Sequence, residues 1–424
     1  MNRPKNLPAV LLAFFAVETL SATWFLKIPH AAHCCAVLYF LSGIGISFLL
    51  LRFPPMTLPR LDLKGWNTPA NHYRLIAAGL VILATWSWCQ YWFDDTPIDI
   101  ANADMLPIIK VMGERFIAGQ HSGVYDNIPW IWHGTRPIYL PAMWLPYVPA
   151  IFLGIDMRWV AVAGLLFAFI VFLFCYRPNT HTYLSFVLGV LAFLLFWWVV
   201  ADNTPGLVNM AEEGVVIGYY VLLVLALLSG RPWLTGIAIS LCMLSRYALA
   251  GWVPAYLLYL VLEKKWKPLA TIVITGLSCF VLLFLLPVGW TTFLRLAKLP
   301  GDYIAFAARV WKDSPDVFAS SPGFAWLFGP HRVALLHRLL LVLSFSVPSI
   351  FIWVGRRRQR SVNLPLAALK ISLVVFYCFI DVPYLYLFYT SCFMSLIIVA
   401  LLLRDPPGAN DRPSDGPTPG RPPV

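Results

Sequence analysis

Residues 94–141, DDTPIDIANADMLPIIKVMGERFIAGQHSGVYDNIPWIWHGTRPIYLP, hold most of what this chain offers for chemistry. The stretch is polar in an otherwise apolar sequence, and it carries Asp94, Asp95, Asp99, Asp104 and Glu114. A long polar loop between membrane helices is where such a protein does recognition or catalysis. Asp104 precedes a helix-like run, MLPIIKVMGERFIA, that Gly119 closes. One reading of it is an N-cap, supported by Pro107 near the helix start. The other is a general base that takes a proton from an acceptor hydroxyl, and the two roles are compatible. Lys110, Glu114 and Arg115 follow on the same helix. Lys110 and Glu114 have i,i+4 spacing, for which a solvated pair is the plainer account. Arg136 opens the aromatic PIYLPAMWLPY, where a guanidinium suits either a lipid phosphate or snorkelling to the interface.

Three further charges stand out. Glu212 and Glu213 begin an apolar run, as the helix dipole alone would favour. Arg246 lies within the apolar ISLCMLSRYALAGWVP. A charge at a membrane helix centre costs roughly 2.5–3.5 kcal/mol on insertion scales, less near the interface, so such a residue faces a partner or an anion. Glu18, midway along the first apolar run, carries a similar cost and has no role assignable from sequence. The histidines and the eight cysteines show no metal-ligand spacing, and the cysteines read as small hydrophobes.

The elements that must position these groups are membrane helices. Hydrophobic residues make up 60% and charged residues 12% of the chain, which excludes an ordinary soluble domain. Apolar runs of about 20 residues recur, the length that crosses a bilayer. The predicted fold is an all-α polytopic membrane protein with about 12 transmembrane helices, at 7–26, 33–52, 75–93, 158–176, 183–201, 214–229, 233–249, 251–263, 268–288, 333–354, 364–382 and 384–403. The first of these lacks a cleavage site and reads as a retained span. The net charge of +11 does not point to nucleic acid, because the basic residues gather in short loops between apolar runs. That asymmetry puts the loops at 52–74, 175–182, 229–232, 263–268 and 355–362 inside, and the loop at 94–137 outside.

An odd number of crossings must separate the outer loop from the inner one at 175–182. Of the two apolar segments between them, 138–154 carries Pro137, Pro141, Pro146 and Pro149 at its start and along its length. It is expected to be a re-entrant or interfacial element that does not cross. The chain then reads as one membrane domain, 1–403, with 94–157 as outer loop and re-entrant segment, 289–332 as a second outer loop, and 404–424 as a disordered cytoplasmic tail rich in proline and glycine.

The ordered set (Asp104 before a helix, Gly119 followed by Val124–Tyr125, an aromatic-proline segment, an outer acidic pair, a basic residue in a later span) resembles the GT-C superfamily of integral-membrane glycosyltransferases. The similar branch is the bacterial polyprenyl-phosphate-sugar-dependent mannosyl- and arabinosyltransferase-like proteins. On that resemblance Asp104 matches the loop carboxylate, Gly119 and Tyr125 the G…Y element, and Tyr139–Leu140–Pro141 part of a Y-x-P-P segment. Glu212/Glu213 fall where relatives show a Gly-Gln-Asn-like element, and Arg246 where they show a lysine. The likeness covers residues 75–290 and departs in the single proline, the acid for glutamine, the arginine for lysine, and two extra leading spans.

What the resemblance implies is glycosyl transfer at the outer face of a bacterial inner membrane. The donor would be a polyprenyl-phosphate-linked sugar, and the acceptor a glycan, lipid or protein hydroxyl. Asp104 would be the base, Arg246 and Arg136 would meet the lipid phosphate, and Tyr139, Glu212, Glu213, Lys110 and Arg115 would complete the substrate site. Either a divalent cation (Mg2+ or Mn2+) on the acidic residues neutralises the phosphate or the route is metal-free, and the sequence leaves both open. The rival readings are a lipid-linked saccharide flippase or transporter, and an O-antigen polymerase or ligase.

Overall fold

The computed structural model describes residues 6–56, 58, 69–132, 134–176, 182–202, 206–296, 303–358 and 362–403. The predicted tail at 404–424 and the basic residues Arg3, Lys5, Arg60, Lys64, Arg177 and Arg360 lie outside them. Every principal element among the described residues is helical, and the sole strand-like pairing is the bridge Ile128–Thr135.

The helices that organise the chain are α1 (Leu7–Ser21), α2 (Ala32–Leu50), α3 (Pro69–Asp95), α4 (Met105–Ile117), α5 (Arg158–Cys175), α6 (Thr182–Phe196) and α7 (Glu213–Ser229), followed by α8 (Pro232–Met243), α9 (Trp252–Leu262), α10 (Trp266–Phe280), α11 (Tyr303–Asp313), α12 (Val333–Arg358), α13 (Leu364–Cys378) and α14 (Tyr389–Leu402). Eight described helices are long and apolar enough to cross a membrane. The protein is therefore an α-helical multi-pass membrane protein. Four further apolar helices, Glu213–Ser229, Pro232–Met243, Tyr247–Leu262 and Leu364–Cys378, are shorter.

The last helix is the centre of the bundle. α14 is buried along its whole length and packs on α1, α5, α7 and α13, whereas α10 shows most of its surface outward. Hydrophobic side chains facing outward from α3 and α10 are expected where lipid rather than water is the neighbour.

Polar groups inside this bundle are paired. Glu18 of α1 meets Lys370 of α13, and both are fully buried. Ser391 and Ser395 of α14 donate their hydroxyls to Glu18 at 2.9 and 2.8 Å, and Lys370 Nζ also donates to Ser391 Oγ at 2.5 Å. The charge found midway along the first span is thus the core of a three-helix polar contact.

α5 and α7 approach each other through glycine. A β-carbon at Gly164 would overlap the carbonyl of Gly214, and one at Gly214 would overlap the carbonyl of Ala161. Both backbones must therefore stay at glycine spacing, as small residues allow in membrane helix pairs. Gly214→Val is expected to cost about 1–3 kcal/mol through overpacking, read as a lower unfolding temperature of the purified protein in detergent. An unchanged midpoint would mean that the two helices are not held this closely.

Candidate active site

The region between α3 and α5 is fixed by hydrogen bonds of its own. Arg158, at the start of α5 and only 4% exposed, donates to the carbonyls of Thr96 at 2.5 Å and Phe93 at 3.1 Å, and its Nη2 pairs with Asp156 at 2.6 Å. It ties the end of α3 to the start of α5, and so closes the 62-residue excursion between them. Arg115 donates to the carbonyls of Gly123, Asp126 and Asn127 at 3.2, 2.6 and 3.0 Å. Its guanidinium organises the turn after α4, where Gly119 adopts φ +76°.

The proline-rich segment breaks into short helical turns at Pro141–Trp144, Leu145–Tyr147 and Val148–Phe152. With prolines at the starts of these turns, no continuous helix can form across them. The segment is strapped to the bundle. Ala142 N–H donates to the Leu244 carbonyl at 3.0 Å, and Tyr219 hydroxyl donates to the Ala142 carbonyl at 3.0 Å. Tyr125 hydroxyl donates to the Tyr139 carbonyl at 2.9 Å and accepts from the Trp144 indole at 3.1 Å. The G…Y element and the aromatic-proline element, separate in sequence, are one hydrogen-bonded unit.

Asp104 occupies the N-cap position of α4, yet its side chain makes no capping hydrogen bond. Pro107 at the third helical position has no N–H to offer, and Asp104 itself has helical backbone angles, φ −85° and ψ −19°, rather than the extended ones of a capping residue. The carboxylate instead accepts from the Trp132 indole at 3.2 Å. Trp132 holds φ +50°, an uncommon backbone setting for a non-glycine residue, and its side chain stays exposed. Burial pushes the Asp104 carboxyl above the ordinary carboxylate range, against the opposing effect of the indole N–H.

Opposite this acid stands a second cluster. Arg246 does not lie within a helix, as the apolar run 233–249 predicted. α8 ends at Met243, and Arg246 has an extended backbone, φ −147° and ψ 149°. Its Nε donates to Glu213 at 3.1 Å and its Nη2 to Glu212 at 2.9 Å, and Thr390 of α14 donates to the other Glu213 oxygen at 2.6 Å. The two glutamate side chains are 1% and 0% exposed, while that of Arg246 is 17% exposed. One guanidinium faces two carboxylates, so the cluster carries a formal charge of −1. Glu212 Oε2 is buried without a hydrogen-bond partner.

Asp104 lies within electrostatic range of Glu212, and Tyr139 within range of Asp104, Glu212 and Arg246. Tyr303, Tyr384 and Tyr386 complete the surround, each coupled to Glu212. A cavity of about 330 Å3 lined by Lys27, Trp198, Ser320 and Tyr384 shares Tyr384 with this surround. Asp104, Tyr139, the adjacent Glu212 and Glu213, and Arg246 thus come to one region from four separate places in the chain. Lys110 and Arg136 are exposed, and neither forms an ion pair among the described residues. Arg115 serves the loop backbone. Sequence reading missed Thr390, Trp132 and the three tyrosines. The PYLYLFY run was a visible hint for Tyr384 and Tyr386 alone.

Three described acidic, histidine or cysteine side chains do not converge anywhere to hold a metal ion. At the site itself, Arg246 and Thr390 already occupy most glutamate oxygens, so the donor set does not fit a divalent cation. Comparison with family models, with curated proteins and with solved structures found no match. The functional reading therefore rests on this geometry.

Proposed function

We propose that the protein is a membrane glycosyltransferase that moves a sugar from a polyprenyl-phosphate donor to an acceptor hydroxyl. In this reading all twelve apolar helices cross, the site faces the periplasm, and the membrane is the bacterial inner one. The observation that carries the proposal is the Asp104 carboxylate, which makes no capping bond and lies within electrostatic range of Glu212 and Tyr139.

Asp104 takes the proton of the acceptor hydroxyl, whose oxygen attacks the anomeric carbon. The bond from that carbon to the phosphate oxygen breaks, and polyprenyl phosphate leaves with the electron pair. Arg246 has Nε and Nη2 committed to the glutamates, which leaves Nη1 for the departing phosphate. A cation there stabilises charge that grows in the transition state. The paired glutamates hold the guanidinium in place and keep the cluster from binding every passing anion. The unpartnered Glu212 oxygen is available to accept a hydrogen bond from a sugar hydroxyl. The acceptor (glycan, lipid or protein) enters beside Tyr384.

The test is transfer from a panel of radiolabelled polyprenyl-phosphate sugars by membranes containing the wild-type chain. Label passing into an acceptor supports the reading. Failure to consume any donor overturns it and favours transport of a lipid-linked saccharide, since Arg246 sits in a helix break of the kind transporters use for substrate.

A pH profile adds a second check. Asp104 acts only when ionised, and its carboxyl is raised by burial. Transfer should therefore rise with pH through an acid limb lying above the ordinary carboxylate range of about 4. In Asp104→Asn that limb should vanish. A limb at the ordinary position would assign the base to a solvated acid instead.

A further inference from the structure

The face of the bundle opposite Asp104 carries a second built cavity. α7 runs from Glu213 in the site to Ser229, a rise of about 24 Å, and a cavity of about 470 Å3 opens at that far end between α8, α9, α10, α12 and α13. We propose that it binds the headgroup of an anionic phospholipid from the leaflet on that side.

Three observations carry the assignment. The first is charge. Lys265 and Arg356 line the cavity, and Arg231, Lys264, Lys267, Arg357 and Arg358 stand exposed in the loops and helix ends around it. Among the described residues of those loops Glu263 is the sole acid, and Arg356 Nε already meets it at 2.7 Å. With that pair neutral, the rim keeps an uncompensated excess of positive charge, and Arg356 still has Nη1 to offer after its Nη2 donates to the Leu262 carbonyl at 2.9 Å.

The second is the wall. Below the rim the cavity is lined by Tyr256, Leu260, Ile272 and Leu366, which suit acyl chain rather than a free anion. The third is access. α10 supplies one side of the cavity and turns most of its length outward, so a lipid reaches the site laterally from the bilayer. Basic pockets between membrane helices recognise lipid phosphates in this way. The inference is independent of glycosyl transfer.

The experiment is native mass spectrometry of the purified full chain in detergent with phosphatidylglycerol, phosphatidylcholine or inorganic phosphate added. Phosphatidylglycerol should be retained at least tenfold better than phosphatidylcholine, and millimolar inorganic phosphate should not displace it. Lys265→Gln should lower retention at least threefold by removing rim charge without touching the Glu263–Arg356 pair. Val362→Trp, at an exposed lining position, should lower it similarly by obstruction at unchanged charge. Equal retention of phosphatidylcholine, or wild-type retention by both variants, overturns the site. Displacement by inorganic phosphate overturns the lipid assignment in favour of a free anion.

Discussion

Replacing Asp104 with asparagine is expected to lower glycosyl transfer at least a hundredfold while leaving the protein folded. A positioned general base contributes roughly 10²–10⁴-fold, and the amide cannot take the acceptor's proton. Nothing structural depends on the charge. Asp104 makes no capping bond that the substitution would break, and the amide oxygen can still accept from the Trp132 indole. The check is the initial rate of label transfer from polyprenyl-phosphate sugar in membranes, with unfolding temperature and yield measured alongside. A variant within threefold of wild type would remove Asp104 from the chemistry. Asp99 would not be an obvious replacement, because its carboxylate already accepts from the backbone N–H groups of Ala101 and Asn102 at 2.9 and 3.0 Å.

The second large effect is on stability. Lys370→Met should destabilise the protein by about 3–5 kcal/mol, the usual cost of removing one partner of a buried ion pair. Glu18 would be left at the helix interface with the hydroxyls of Ser391 and Ser395 alone. Combining the change with Glu18→Met should recover most of the loss, since a buried pair replaced by apolar groups of similar volume is often neutral. Equilibrium unfolding of wild type, the single variant and the double variant in detergent separates the cases. If Lys370→Met unfolds like wild type, the pair carries no stability. If the double variant is as weak as the single one, the damage is packing rather than an unpaired charge.

What the sequence made legible was local. Apolar runs near bilayer length located the helices, and the spacing of Asp104, Pro107 and Gly119 located α4 with its start and stop. Four prolines marked the segment that could not be one helix. Charges in apolar surroundings flagged Glu18, Glu212, Glu213 and Arg246 one at a time. Their partners were not readable, because each contact joins residues far apart: Arg246 to Glu213 spans 33 positions, Thr390 to Glu213 spans 177, and Lys370 to Glu18 spans 352. Lys370 was open to the argument that flagged Glu18, as it too interrupts an apolar run. Thr390 was not, since one hydroxyl on a buried helix looks like any other. The break before Arg246 was hidden because its cause is tertiary: the Leu244 carbonyl is taken by Ala142 from the proline-rich strap.

Two neighbouring residues of α14 divide the labour of the molecule. Thr390 reaches Glu213 in the site, and Ser391 reaches Glu18 and Lys370 in the bundle. During synthesis these two hydroxyls leave the ribosome after every helix they serve. Until they do, the Glu18–Lys370 and Arg246–Glu213 pairs have their charged partners but lack the hydroxyls that complete each contact. Closure of both polar clusters therefore waits on α14, one helix that joins two otherwise separate contacts.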